Sequence, residues 1–168
     1  LSFKRIRTLT KNKLLSKSNV LCLSLVKKDG FEDVVQKAVE IGIDTIIPIL
    51  SERSEKKLLN EERLRKIIIE AVEQSGRNDI PTLANVQNIK DVIELTGQHF
   101  VFHTEDTAST TKDIDNITKY AWVGPEGGWS ESEIELFKKH GPRFVSLPTY
   151  TLRATTAGVL ASFYIVNL

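Results

Sequence analysis

Apolar positions along the chain switch repeatedly between two periods. VLCLSLV (Val20–Val26), apolar but for Ser24, is a run of strand length and predicts a buried strand. In Phe31–Gly42, Val34, Val35, Ala38, Val39 and Ile41 recur at helical spacing, and Gly42 supplies a natural stop. Ile43–Leu50 returns to a strand rich in β-branched residues. Glu61–Gly76 predicts a long helix with Leu64, Ile67, Ile68, Ala71 and Val72 on one face, and Asn88–Leu95 a shorter helix. His99–His103 and Tyr120–Gly124 predict strands, Ser130–His140 a helix, Arg143–Leu147 a strand, and Ala154–Leu168 a closing helix. This last helix is apolar nearly all round, so it is expected to be buried on both sides, in the core or in a subunit interface.

Strands alternating with helices predict an α/β fold, a mainly parallel sheet sandwiched by helices. In such sheets ligands sit beyond the carboxyl ends of the strands. The loops to inspect are therefore 51–57, 104–111, 124–129 and 148–153. Thr104–Asp113 is polar but for Ala108 and is expected to be mobile. No internal repeat is present.

Composition narrows the class. With 168 residues, 40% hydrophobic and 27% charged, the chain can bury a core without metal or disulfide, and mainly disordered or collagen-like chains are excluded. No apolar run is long enough to span a membrane. The single cysteine, Cys22, lies in an apolar strand, is expected to be a buried small hydrophobe, and fits a reducing, cytoplasmic setting. The three histidines lack metal-ligand spacing, so no metal is expected. The chain starts at Leu1 and has no Met, which reads as a fragment of a longer protein.

Charge is asymmetric beneath a net of +1. Eight of the 23 basic residues and none of the 22 acidic ones fall in Leu1–Lys28, leaving 15 basic against 22 acidic over the remaining 140 positions. A basic arm on an acidic body suits a polyanion such as nucleic acid, and equally a solvated linker.

Two segments carry candidate chemistry. In WVGPEGGWSESE (Trp122–Glu133) a strand runs into three glycines and a proline, then into a helix start. Ser130 and Glu133 have capping-box spacing. Gly124, Gly127 and Gly128 would let a ligand approach the backbone, with Glu126 at the mouth to accept from its hydroxyls or amine. No G-K-[ST] follows and no G-x-S-x-G occurs, which disfavours a phosphate-binding loop and a serine hydrolase. In SLPTYTLRATTAG (Ser146–Gly158) a loop leads into a helix expected to be capped by Thr155 or Thr156. Arg153 before it suits a phosphate or carboxylate partner, or a helix-end salt bridge. EQSGRNDIP (Glu73–Pro81) and SERS (Ser51–Ser54) add Arg77 and Arg53, each either an RNA contact or a solvated arginine.

Together VQKAVEIGIDTIIP, SERS, AVEQSGRNDIP, VGPEGGWSESE and SLPTYTLRATTAG resemble, in order, the motifs of the bacterial 16S ribosomal RNA uracil-N3 methyltransferase family. The resemblance covers Val20 to the end. It implies a SPOUT-type fold with a C-terminal trefoil knot, S-adenosylmethionine as cofactor, 16S ribosomal RNA of the small subunit as partner, and a homodimer with the site at its interface. Residues 1–19 would be a basic linker and the end of a missing N-terminal PUA-like RNA-binding domain, and 20–168 the methyltransferase domain. The cofactor would be held by Phe102, His103, Val123, Gly124, Pro125, Glu126, Gly127, Gly128, Leu147, Pro148, Leu152 and Ala154, with the backbones of Leu147 and Leu152 reading adenine. Arg153 would stabilise the anion developing on uracil, Glu126 is the candidate base, and Arg53, Gln74, Arg77 and Arg153 would lie near RNA. The last motif departs from the family's L-G-x-R-I-L-R-x-E-T. Pro148 stands for glycine, Tyr150 for arginine, Thr151 for isoleucine and Thr155 for glutamate, which removes one charged pair. These departures motivate a rival reading, a catalytically impaired relative acting as an RNA-binding or assembly protein. An enzyme of another class using the glycine loop for a nucleotide is a third.

Overall fold

A computed structural model describes residues 17–26, 28–54, 59–104, 117–147 and 150–168. The basic arm up to residue 16, most of the polar stretch 104–113, and Pro148 lie outside the described residues. The strands are β1 (Asn19–Ser24), β2 (Thr45–Leu50), β3 (Thr82–Leu83), β4 (Gln87–Asn88), β5 (Gln98–Phe102), β6 (Lys119–Val123) and β7 (Arg143–Val145). The helices are α1 (Lys28–Ile41), α2 (Glu61–Ser75), α3 (Ile89–Ile93), α4 (Glu131–His140) and α5 (Ala154–Val166). All strand pairs are parallel, in the order β3-β2-β1-β6-β5-β7, with β4 also on β2. The α/β expectation is met: helices cover both faces of a parallel sheet.

Both faces are buried because successive strand residues point to opposite sides. In β1, Leu21 and Leu23 join the layer under α1, α2 and α5, whereas Val20 and Cys22 join the layer under α3 and α4. Cys22 is fully buried, and burial pushes its thiol well above the ordinary range, as for an inert small hydrophobe. No described helix is long and apolar enough to cross a membrane.

The periodicity missed β3 and β4, and placed Asn88 in a helix that begins at Ile89. Each is two residues long, too short for a pattern, and exists because β2 offers it a partner. Their ladder on β2 uses Thr45–Ile46 and then Ile49–Leu50. The gap falls at Ile47–Pro48, where proline has no N–H to donate.

Helix α5 is half in the core. Ala154, Gly158, Ala161, Ser162 and Ile165 are buried, while Leu160 and Phe163 stand exposed on the outer face. Gly158 permits the close crossing of α5 over α1: a Cβ there would sit 2.7 Å from Val34 Cγ1 and 3.6 Å from Leu23 Cδ1. Both neighbours are buried, and a β-branched valine cannot swing aside. Gly158→Val is therefore expected to destabilise the fold by about 2 kcal/mol through overpacking, read as a lower urea midpoint at unchanged slope.

Candidate functional site

The carboxyl ends of β5, β6 and β7 open onto a cavity of about 550 Å³, a size suited to a small-molecule ligand. Three segments wall it: Phe102–Thr104 after β5, Val123–Trp129 after β6, and Val145–Leu147 continuing to Tyr150–Ala154 after β7. His103 N–H donates to Val145 C=O at 3.1 Å, joining the first and third walls.

The middle wall is shaped by its own sequence. Gly128 N–H donates to Pro125 C=O at 2.8 Å, closing a turn with Glu126 and Gly127 at its tip. Gly128 has φ +68°, a left-handed conformation that its missing Cβ makes inexpensive. The expected capping box is present: Ser130 Oγ accepts from Glu133 N–H at 3.2 Å, and Glu133 Oε2 accepts from Ser130 N–H at 2.8 Å. Glu133 is buried but sits where helix α4 is positive, and its second oxygen accepts from Glu52 N–H at 2.8 Å. Trp129, which sequence reasoning passed over, lies under the loop, edge-on to Phe137. A Cβ on Gly124 would come within 3.2 Å of its indole.

Eleven of the twelve residues expected around a cofactor line this one cavity. The twelfth, Pro148, lies outside the described residues. Thr104, Val145, Ser146, Tyr150, Thr151 and Ala157 also line it, and no motif singled them out as contacts. Glu126 and Arg153 are exposed at its edge. Tyr150 is 96% exposed at the mouth. Thr155, where the family motif has glutamate, lines a separate groove with Asp33, Val34 and Lys37. Its methyl is the atom a Cβ on Gly30 would meet, so that departure takes no group from the cavity.

Two local readings change. Helix α5 is capped neither by Thr155 nor by Thr156. Its N-cap is Arg153, with φ −65° and ψ 150° and no capping bond from the side chain. The helix begins at Ala154 because residues 154–156 already have helical geometry, so the guanidinium is left for the cavity. Arg77, expected near RNA, is drawn into the fold instead. Its Nη1 donates to Val39 C=O at 3.0 Å and Ile43 C=O at 2.8 Å, its Nε and Nη2 donate to Asp79, and Nη2 lies 3.6 Å from Asp44. Ile43 and Asp44 immediately precede β2, so Arg77 lies at the opposite end of the parallel sheet from the cavity. Gln74, exposed in the last turn of α2, does not line the cavity either.

Arg53 is brought to the cavity's outer edge. The turn Ser51–Ser54 ties itself together: Ser54 N–H donates to Ser51 C=O at 3.1 Å, and the two hydroxyls are 2.7 Å apart. From this turn Arg53 Nη1 donates to Gly127 C=O at 2.8 Å. Glu52 accepts from Ser132 Oγ, and the hydrogen bonds from Ser132 and then Ser130 hold its carboxyl below the usual carboxylate range.

Comparison with known proteins points the same way. A family model describing an RNA methyltransferase domain matches residues 14–166. Ribosomal RNA small subunit methyltransferase E of Aquifex aeolicus is 32% identical over 142 residues, covering 81% of this chain and 62% of that protein. The protein of that name from Rickettsia conorii is 28% identical over 164 residues, covering 94% and 67%. The chain thus spans about two thirds of the length of these relatives. A putative methyltransferase of Legionella pneumophila, solved with bound SAM, superimposes with a TM-score of 0.80 at 28% identity, covering 90% of this chain and 66% of that one. A ribosomal RNA small subunit methyltransferase E from Neisseria gonorrhoeae bound to S-adenosyl methionine gives a TM-score of 0.80 at 27% identity, with the same coverage.

Proposed function

The chain belongs to the RNA methyltransferase domain family, and on that premise we propose that it binds S-adenosylmethionine in the cavity beyond β5, β6 and β7 and methylates N3 of a specific uridine in 16S ribosomal RNA. The observation that carries this reading is the convergence of Phe102–His103, Val123–Gly128, Leu147 and Tyr150–Ala154 on one cavity. The residues present fit the cofactor. Phe102, Val123, Leu147 and Leu152 offer apolar walls for a base, and the glycines of the middle wall admit a ribose close to the backbone. Glu126 can accept from hydroxyls or an amine. No lysine is among the described lining residues, which suits a nucleoside without phosphates better than a polyphosphate and argues against the other-nucleotide reading.

Bound there, the cofactor supplies an electrophilic methyl group on a sulfonium. The chain's own task is to hold uracil N3 in line with that methyl and to manage its proton. N3–H is weakly acidic, so negative charge builds on O2 or O4 as the proton leaves. Arg153, exposed at the cavity edge, would stabilise that charge. Glu126 is the carboxylate at the rim and the candidate base. Holding the two reactants together supplies much of the acceleration.

The same reading makes the protein a cytoplasmic homodimer with a C-terminal trefoil knot, the outer face of α5 supplying part of the interface. An N-terminal PUA-like domain and the basic linker would add phosphate contacts to the RNA. The test is a calorimetric titration with S-adenosylmethionine, followed by transfer of labelled methyl to 16S ribosomal RNA. Saturable micromolar binding is expected. A folded protein that binds RNA but no cofactor would overturn the reading in favour of an RNA-binding or assembly protein.

A further inference from the structure

We infer that Arg53 is a positioning residue that fixes the shape of the cofactor loop from the end of a different strand. The inference rests on the cavity being the cofactor site, but its geometry can be tested without the cofactor. The peptide joining Gly127 to Gly128 is gripped on both sides. Its N–H donates to Pro125 C=O at 2.8 Å, and its C=O accepts from Arg53 Nη1 at 2.8 Å. Such a peptide, between two glycines and with φ +68° at the second, has little steric resistance to flipping. The turn's own bond holds only one end of it. A charge-assisted bond from a guanidinium holds the other, and is stronger than a neutral one.

The support behind Arg53 is stiff. Its turn is closed by the Ser51–Ser54 bonds, and the Arg53 stem runs alongside Gly127, so that a Cβ there would touch Arg53 Cδ at 3.4 Å and Cβ at 3.5 Å. The preceding residue is fastened to the far side of the same loop. Glu52 N–H donates to Glu133, and the Glu52 carboxylate accepts from Ser132 at the start of α4. Two consecutive residues of the turn after β2 therefore hold both flanks of Gly127–Ser132. An arginine meant only for RNA phosphate would need none of this.

The experiment measures two things on Arg53→Ala and Arg53→Lys. The first is amide exchange at Gly128 in the cofactor-free protein. The second is the dissociation constant for S-adenosylmethionine. Arg53→Ala is expected to speed exchange at Gly128 about tenfold and to weaken cofactor binding about tenfold, the loss of one charge-assisted bond, while the melting temperature stays put. Arg53→Lys, able to reach the carbonyl with one donor but without the planar fork, is expected to recover part of both. Unchanged exchange at Gly128 in Arg53→Ala would overturn the inference. If that variant instead lowered only the salt dependence of RNA binding, by about one phosphate contact, Arg53 would be an RNA ligand and the inference would again fail. A wild-type protein that binds no S-adenosylmethionine would count against the cofactor reading alone, because the exchange measurement stands apart from it.

Discussion

Replacing Arg153 with alanine is expected to lower methyl transfer by about two orders of magnitude while leaving the fold intact. The size follows from the chemistry. A donor aimed at charge that appears only as the N3 proton leaves stabilises the transition state more than the ground state, and removing one such donor typically costs 10²–10³ in rate. The intact fold follows from the geometry. Arg153 is exposed, makes no side-chain cap to α5, and its neighbour Ala154 already begins the helix. Single-turnover transfer with enzyme saturated in cofactor and RNA isolates this step from binding. Arg153→Lys, which keeps charge but loses the fork, should recover only part of the rate. A full single-turnover rate in the alanine variant would remove Arg153 from the chemistry.

The second large effect is acid destabilisation through His99. Its ring stacks on Tyr120 with centroids 4.4 Å apart, and its two nitrogens face opposite demands. Trp122 Nε1–H donates to Nδ1 at 3.0 Å, so Nε2 carries the proton and donates to Leu95 C=O at 2.9 Å. The neutral ring is satisfied on both sides. A second proton on Nδ1 would face the indole N–H and break that bond. Burial, with repulsion from His140, lowers the pKa to about 4, against a smaller opposing pull from the Leu95 carbonyl. In the unfolded chain His99 titrates near 6.5. The unfolded state therefore binds more protons between those values, and stability falls as pH drops from about 6.5 towards 4, levelling off below. The ceiling is about 3 kcal/mol. Urea midpoints at neutral pH and near pH 4.5 would show it. His99→Gln, able to accept and donate without titrating, should flatten the pH dependence by that amount even as carboxylates elsewhere titrate. An identical pH dependence in the two proteins would show that His99 is not the group responsible.

What was legible in the sequence was local. Strand and helix periods, the Ser130–Glu133 capping box and the turn at Gly124–Gly128 each depend on residues within a few positions of one another, so a linear pattern records them. Motif order then gathered Phe102–His103, Val123–Gly128 and Leu147–Ala154 as one site, and the described residues of these segments line one cavity. The arginines could not be sorted that way. Arg53 and Arg77 look alike in sequence, each in a polar turn, yet one reaches Gly127 across 74 positions and the other reaches Val39 and Ile43 across 38 and 34. Which end of a parallel sheet a turn occupies decides this, and no local period encodes it. Trp129 reads as one more apolar residue until its indole is seen beneath Gly124. By itself, then, the sequence determined the α/β alternation, the glycine loop and its cap, because short-range sterics and hydrogen bonds fix them. The tertiary structure alone decided that the turn after β2 would hold the glycine loop through Glu52 and Arg53, that two-residue strands would flank Pro48, and that Arg153 would precede α5 as an N-cap with no capping bond from its side chain, because each depends on surfaces that only the folded sheet brings together.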